Sequence, residues 1–372
     1  MTDYNNVKAF FALLRAGLWG KDVQLAQCGE IDFATIQRIA EEQSVVGLIA
    51  AGMEHIVDTK PTKKDVLQFI GQTLQIEERN KAMNYFIGVL VDKMKDAGIF
   101  TLLVKGQGVA QCYEKPLWRA CGDVDFFLDD KNYMAAQRFL TPLATSVDTE
   151  GAYSKHIGLA IDPWVVELHG TMRCGLSSRM DKALDKLQED CFKMGAVRVW
   201  KNGETEVYLP SADNDIIFVF THFLKHFYKG GIGLRQICDW CMLLWTYRAE
   251  INVSLLEKRL HSMGLMTEWK AFGAYAVEFL GMPVEALPLY SADAKWKRKV
   301  ARICSFIMEV GNFGHNRDTN YYGKYPFLIR KIISMGWRIG DLFRHARIFP
   351  LDSIRFFPKL MYVGLRSAAK GE

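Results

Sequence analysis

Leu102-Leu-Val-Lys-Gly-Gln-Gly108 and Arg119-Ala-Cys-Gly-Asp-Val-Asp-Phe-Phe-Leu128 decide the reading of this chain. The first ends a short β-type run over 99–104, broken at Lys105 by a glycine-rich turn. The second reads as another strand over 123–128. Residues two apart on a strand point to the same side, so Asp123 and Asp125 project together. Two carboxylates about 4 Å apart repel by ~1 kcal/mol in bulk water and ~4 kcal/mol at an effective dielectric near 20. A strand as apolar as Val-Asp-Phe-Phe-Leu belongs nearer the second case. A divalent cation offsets that repulsion: Mg²⁺ takes one or two carboxylates plus substrate phosphates, and paired ions stabilise both the attacking and the leaving oxygens of phosphoryl transfer. On its own, Asp-x-Asp is frequent by chance and reads more readily as an edge strand with two solvated acids. The turn upstream adds weight, because a strand ending in Lys-Gly-x-Gly and entering a helix places backbone N–H groups where phosphates dock.

A third acid stands in Trp164-Val-Val-Glu-Leu-His169, where alternation puts Glu167 and His169 on one face of a strand. Glu167 is either the acid that completes a three-carboxylate site or an exposed strand residue. His169 is either a cleft residue or a hydrogen-bonded structural histidine.

Around this centre the periodicity changes. Residues 1–96 read as helices, with Phe10, Phe11, Leu13, Leu14 and Leu18 on one helical period and Ile36, Ile39, Ala40 and Val46 on another. A long helix is expected to start at Pro61, with Asp58 and Thr59 as cap candidates, and to stop at Gly98. Further expectations are helices over 109–113 and 131–141, strands over 154–161 and 164–169, and a hairpin of 197–200 with 206–209 about Asn202-Gly203. Helical periodicity returns from Ser211, a good N-cap for 213–227, and continues through 234–247, 252–280 and 292–310. The fold class expected is α+β. A small mixed sheet over 97–210 is flanked by a helical region at 1–96, a helical bundle at 211–327 and a basic amphipathic tail at 328–372.

The 372 residues, 49% hydrophobic and 24% charged, exclude a disordered chain, a collagen-like chain and a small disulfide scaffold. Eight scattered cysteines suit a reducing cytoplasm, and neither a secretory signal nor a spanning helix is expected. The net charge is +5, but 328–372 holds nine Lys/Arg against three acids, so the tail carries +6 and the remainder about −1. The body is therefore no platform for long nucleic acid. The stretch 329–344 reads as an amphipathic basic helix, which either packs on the bundle or meets an anionic membrane surface or acidic partner.

Val-Lys-Gly-x-Gly, then Tyr113, Pro116 and Arg119, then Gly-Asp-Val-Asp-Phe-Phe-Leu and Val-Glu-Leu-His, resembles the uncharacterised nucleotidyltransferase family of the polymerase-beta-like nucleotidyltransferase superfamily. The likeness continues into Phe223-Leu-Lys-His226 and Gly231-Ile-Gly-Leu-Arg-Gln-Ile-Cys-Asp239. The resemblance implies a small mixed sheet with flanking helices and two Mg²⁺ ions, for which Mn²⁺ can substitute. It implies Asp123 and Asp125 as first metal ligands and Glu167 as the third catalytic acid. Nucleotide binding falls to Lys105, Gly106, Gln107, Gly108 and Arg119, although Gln107 stands where the superfamily usually has Ser or Gly. His169, His226, Arg235 and Asp239 are possible cleft residues. The expected activity is transfer of a nucleoside monophosphate from an NTP to an unidentified acceptor hydroxyl. The rival reading is a nucleotide-binding or interaction protein that kept the fold and lost catalysis.

Three weaker signals remain. Cys238 and Cys241 have Cys-x-x-Cys spacing but read as buried thiols. His222 and His226, four apart, suit packing or a substrate-facing role better than zinc. Arg235 and Asp239, also four apart, are expected to pair along a helix face.

Overall fold

The computed structural model describes residues 2–59, 61–148, 155–192, 197–312 and 325–369. Four helices lead: α1 (Thr2–Trp19), α2 (Phe33–Glu42), α3 (Val46–Met53) and α4 (Lys63–Asp96). α1 and α3 cross in backbone contact at Gly17 and Gly52, where a Cβ would stand 2.0 Å from the carbonyl oxygens of Leu48 and Leu13. α4 starts later than expected. Thr62 caps it in a reciprocal box with Asp65, which satisfies two terminal N–H groups at once. Asp58, expected as a cap, instead accepts from the backbone N–H groups of Leu25 and Ala26, each at 2.9 Å.

The sheet and its insertions follow as β1 (Leu102–Val104), α5 (Gly106–Ala110), β2 (Asp123–Phe127), α6 (Asp130–Leu140), β3 (Ser146–Val147), β4 (His156–Ile161) and β5 (Trp164–His169). β1 is shorter than 99–104 and α5 begins three residues before 109. Residue 154 of the expected 154–161 strand lies outside the described residues. The strand order is β1-β2-β5-β4-β3, with β2 and β5 parallel and every other pair antiparallel. This is the α+β class: one small mixed sheet among many helices.

Alternation divides the sheet into two faces. Leu103, Val124, Phe126, Val166 and Leu168 are buried against Met83, Ile87, Leu90 and Met94 of α4 and against Tyr133 and Leu140 of α6. The opposite face starts apolar, with Leu102, Val104 and Phe127 entering the larger core. It continues as Asp123, Asp125, Glu167, His169 and His156, so one face of one sheet changes from oil to charge within two strands.

α7 (Ser178–Cys191) falls where the sequence reading assigned no element. Its buried stripe is Met180, Leu184, Leu187 and Cys191, and Ser177 caps it by accepting from the Met180 N–H. The hairpin is as expected: β6 (Val197–Asn202) pairs with β7 (Thr205–Pro210) around Gly203, whose φ is +62°. Then come α8 (Ala212–Lys229), α9 (Leu234–Thr246), α10 (Val253–Met263), α11 (Met266–Leu280), α12 (Ala294–Val310), α13 (Phe327–Ile348) and α14 (Pro350–Ala369). At the start of α8 the Ser211 side chain makes no cap bond. Its carbonyl accepts from Asn214 and Asp215 instead. The 252–280 stretch is two helices, split at Gly264 with φ +72°.

α8 lies against the charged face of the sheet, with Phe218 stacked on Phe127 at 6.3 Å. The 329–344 segment lies within α13, and Phe349 and Phe356 anchor the tail in the core. Among the described residues no helix is long and apolar enough to cross a membrane.

Candidate functional site

Parallel pairing of β2 and β5 sets Asp125 directly beside Glu167, with Asp123 two residues back on the same face. One ligand atom from each of Asp123, Asp125 and Glu167 lies within 4.8 Å of the others. Lys105 Nζ is 2.5 Å from Asp125 Oδ1. His169 Nε2 contacts the same oxygen at 2.7 Å and Glu167 Oε2 at 3.3 Å. His156 Nε2 reaches Glu167 Oε2 at 3.0 Å.

The charges in this cluster do not balance evenly. Burial, and then the Asp125 charge, push the Asp123 carboxyl above its ordinary range, with Lys105 and Arg235 only partly opposing. Burial also acts upward on Glu167, but hydrogen bonds from His156 and His169 and the Lys105 charge outweigh it and hold that group well below the usual carboxylate range. Burial works against the Lys105 ammonium, yet Asp125 and Glu167 more than offset it, and its pKa rises. Asp123 is thus a carboxylate with less cationic support than its two neighbours.

The turn that delivers Lys105 is strained. Lys105 has φ +56° and ψ −144°, a region that costs a non-glycine residue about 1–3 kcal/mol. Gly106 follows at φ +38°, and a Cβ there would sit 3.1 Å from Cys121 Sγ. This reversal returns the Lys105 side chain over β2. Lys105 and Gly106 line the cleft that opens beside the acids, a space of about 510 Å³ shared with Val219, His222, Arg235 and Gln236.

Gln107 and Gly108 do not line that cleft. The Gln107 side chain is 1% exposed and donates to Asn80 Oδ1 at 2.7 Å. Asn80 in turn donates to the carbonyls of Leu117 and Arg119, both at 2.8 Å. One buried side chain of α4 therefore ties the glycine turn to the loop that carries the Asp-x-Asp strand.

Arg119 forks onto Asp239 at 3.0 and 2.6 Å, and Tyr113 donates to Asp239 at 2.7 Å. The pair is buried, 6% exposed on each side. Asp239 was expected to pair with Arg235 along α9. It faces Arg119 instead, because a two-pronged guanidinium–carboxylate contact across the cleft wall is stronger than an i,i+4 contact. Arg235 donates to the Ala120 carbonyl at 2.8 Å, and its buried Nε has no hydrogen-bond partner among the described residues. Burial, and then Arg119, push the Arg235 pKa downward, with the Asp239 and Asp123 charges only partly opposing. The Gln236 carbonyl oxygen beside it is likewise buried and unpartnered. Gln43 caps the start of α9 by accepting from the Leu234 and Arg235 N–H groups through its side chain and backbone carbonyls.

His226 contacts His222, Nε2 to Nε2, at 3.0 Å. Burial drives both downward, His226 to about 3, with Lys225 and Lys105 adding to the effect there. They are a neutral pair on α8, and only His222 lines the cleft. Cys238 and Cys241 are buried free thiols, as expected.

His156 was missed by sequence reasoning. It reaches the acids only because β4 pairs antiparallel with β5, His156 opposite His169, and nothing local in the sequence signals that register.

A family model described as uncharacterised nucleotidyltransferase matches residues 29–281. The chain belongs to the uncharacterised nucleotidyltransferase family. The matched span runs from α2 to α11, so it includes the sheet, the three acids, the glycine turn and Arg235, and leaves α1 and α12–α14 outside. No curated protein and no solved structure matches the chain.

Proposed function

We propose that the protein transfers a nucleoside monophosphate from an NTP to an acceptor hydroxyl and releases pyrophosphate. The observation that carries this reading is the convergence of Asp123, Asp125 and Glu167 within 4.8 Å, with Asp123 and Asp125 lining an open cleft that Glu167 does not itself line. The donor set fits Mg²⁺, which prefers oxygen ligands. Asp123, raised by burial and a like charge, is the group a cation would relieve. Asp123 and Asp125 would hold two ions, and Glu167 the one nearest the acceptor. Bound Mg²⁺, or Mn²⁺ in its place, would neutralise phosphate charge and stabilise the attacking and leaving oxygens.

The remaining tasks fall to this chain's own groups. The acceptor hydroxyl releases its proton to solvent, and its oxygen bonds to the α-phosphorus as the bond from that phosphorus to the pyrophosphate oxygen breaks. Lys105 and Arg235 balance the triphosphate. Of the turn that starts α5, Gly106 lines the cleft beside Lys105, where its backbone would meet a phosphate. Arg119, held by Asp239, contributes field and cleft shape rather than a mobile phosphate contact. Pyrophosphate release from each NTP, measured with Mg²⁺ and a panel of sugar, peptide and RNA-end hydroxyls, tests the reading. Turnover abolished in Asp125→Asn supports it, and unchanged turnover in that variant rejects it. Binding of Mg²⁺ and NTP without turnover in the unaltered chain favours the binding-protein alternative.

For the tail we propose an anionic membrane surface as partner. Ile329, Ile332, Ile339 and Phe343 of α13 and Leu351, Ile354 and Tyr362 of α14 are exposed at helical spacing. The +6 charge of 328–372 complements acidic headgroups.

A further inference from the structure

We infer that the same sheet carries a second, nitrogen-rich metal site, formed by His156, Glu167 and His169, which takes a borderline divalent transition ion of the Zn²⁺ class. The inference rests on the reading of the acidic cleft as the reacting centre and adds a distinct ion beside it. His156 and His169 face each other across β4 and β5, their rings 4.6 Å apart. Both present Nε2 to Glu167 Oε2, at 3.0 and 3.3 Å, and His169 Nε2 also lies 2.7 Å from Asp125 Oδ1. One ligand atom from each of the three lies within 4.8 Å of the others.

Two imidazoles on one carboxylate oxygen are more than is needed to orient it. Three donors converging from two strands, with one side left to solvent by the 40% exposed His156, are what a catalytic transition-metal site presents: three protein ligands and an open position. Imidazole nitrogen suits Zn²⁺, Fe²⁺ or Co²⁺, whereas Mg²⁺ demands oxygen. The neighbouring cluster of Asp123, Asp125 and Glu167 is all oxygen. Glu167 belongs to both groups, so it is placed to bridge a hard ion on its Asp125 side and a softer one on its His156 side. Two chemically different positions side by side let the protein keep a tightly held ion at the acceptor end while Mg²⁺ arrives with each NTP.

The test uses the full chain, stripped with chelator and titrated with Co²⁺ in excess Mg²⁺, reading the visible d–d bands. The unaltered protein is expected to hold one Co²⁺ that Mg²⁺ does not displace and that one equivalent of Zn²⁺ does. His156→Ala and His169→Ala, checked for folding by circular dichroism, should weaken that Co²⁺ by at least the roughly 10–100-fold that losing even an outer partner costs. Asp123→Asn should leave it in place. Unchanged bands and affinity in His156→Ala, or complete displacement by Mg²⁺, overturn the site and make the two histidines hydrogen-bond partners of Glu167 and Asp125 only. The two readings fail separately. Turnover that depends on Asp123 without the Co²⁺ signal keeps the transferase and removes this site; the signal without any turnover does the reverse.

Discussion

Asn80 is 1% exposed, and its side chain bonds to two backbone carbonyls and to Gln107. Asn80→Ala leaves those buried groups unmet, at about 1–3 kcal/mol for each unsatisfied group. The melting temperature should fall. Transfer should fall further than stability alone explains, because both the turn at Lys105 and the loop before Asp123 lose their common tie; thermal unfolding and turnover measured on one sample check this. Glu268 gives a pH prediction. It is fully buried, and burial and then Asp352 raise its carboxyl to about 8, while an unfolded glutamate titrates near ~4.3. The folded state thus binds the extra proton. The contribution to stability is full below the unfolded value and is lost as pH rises through about 8. Glu268→Gln, neutral at every pH, should flatten that slope and gain on the native chain by a few kcal/mol at alkaline pH, since one unit is worth about 1.4 kcal/mol. Denaturant melts from pH 5 to 9 decide it; parallel curves for the two proteins would contradict it.

At the level of elements, the strand–turn–strand centre was legible because its signals are local. Alternation sets Asp123 with Asp125 and Glu167 with His169, and glycines mark the turn. What stayed hidden depends on contacts far apart in the chain: His156 through the β4–β5 register, and the Arg119–Asp239 fork between residues 120 apart. α7 was missed because its four buried apolar positions are spread among charged residues, which dilutes the apolar period. Asp58 was misassigned because a residue that can cap one helix start can equally accept from a distant loop. The tail helices carry the next prediction. Phe343 is 64% exposed on α13 and Ile354 69% on α14, so Phe343→Glu and Ile354→Glu should fold normally. If the outward stripe meets acidic lipid, the double variant should lose co-sedimentation with anionic vesicles while neutral vesicles bind neither protein. Equal partitioning of both proteins into anionic vesicles would contradict it.

Over the whole molecule, two apolar cores meet at the sheet. One lies between the sheet, α4 and α6, and the larger joins the N-terminal helices to α8–α12. The charged face sits where the larger core stops, which places Asp123, Asp125, Lys105 and Arg235 around one opening, with Glu167 next to Asp125. The division at 96, 210 and 327 is a proposal about cooperative units. Limited proteolysis followed by mass spectrometry should cut first near those positions, and first cuts inside α4 or α8 would refute it. The central claim is that Asp123, Asp125 and Glu167 hold metal against a nucleoside triphosphate. Its most direct test is the crystal structure of the full chain with Mn²⁺ and a non-hydrolysable NTP, read by anomalous scattering. The account predicts manganese peaks bridging Asp123 and Asp125, with triphosphate oxygens completing their coordination and the chain of phosphates running toward Lys105 and Arg235. Nucleotide bound elsewhere, or bound in the cleft with no ion on those carboxylates, would contradict it.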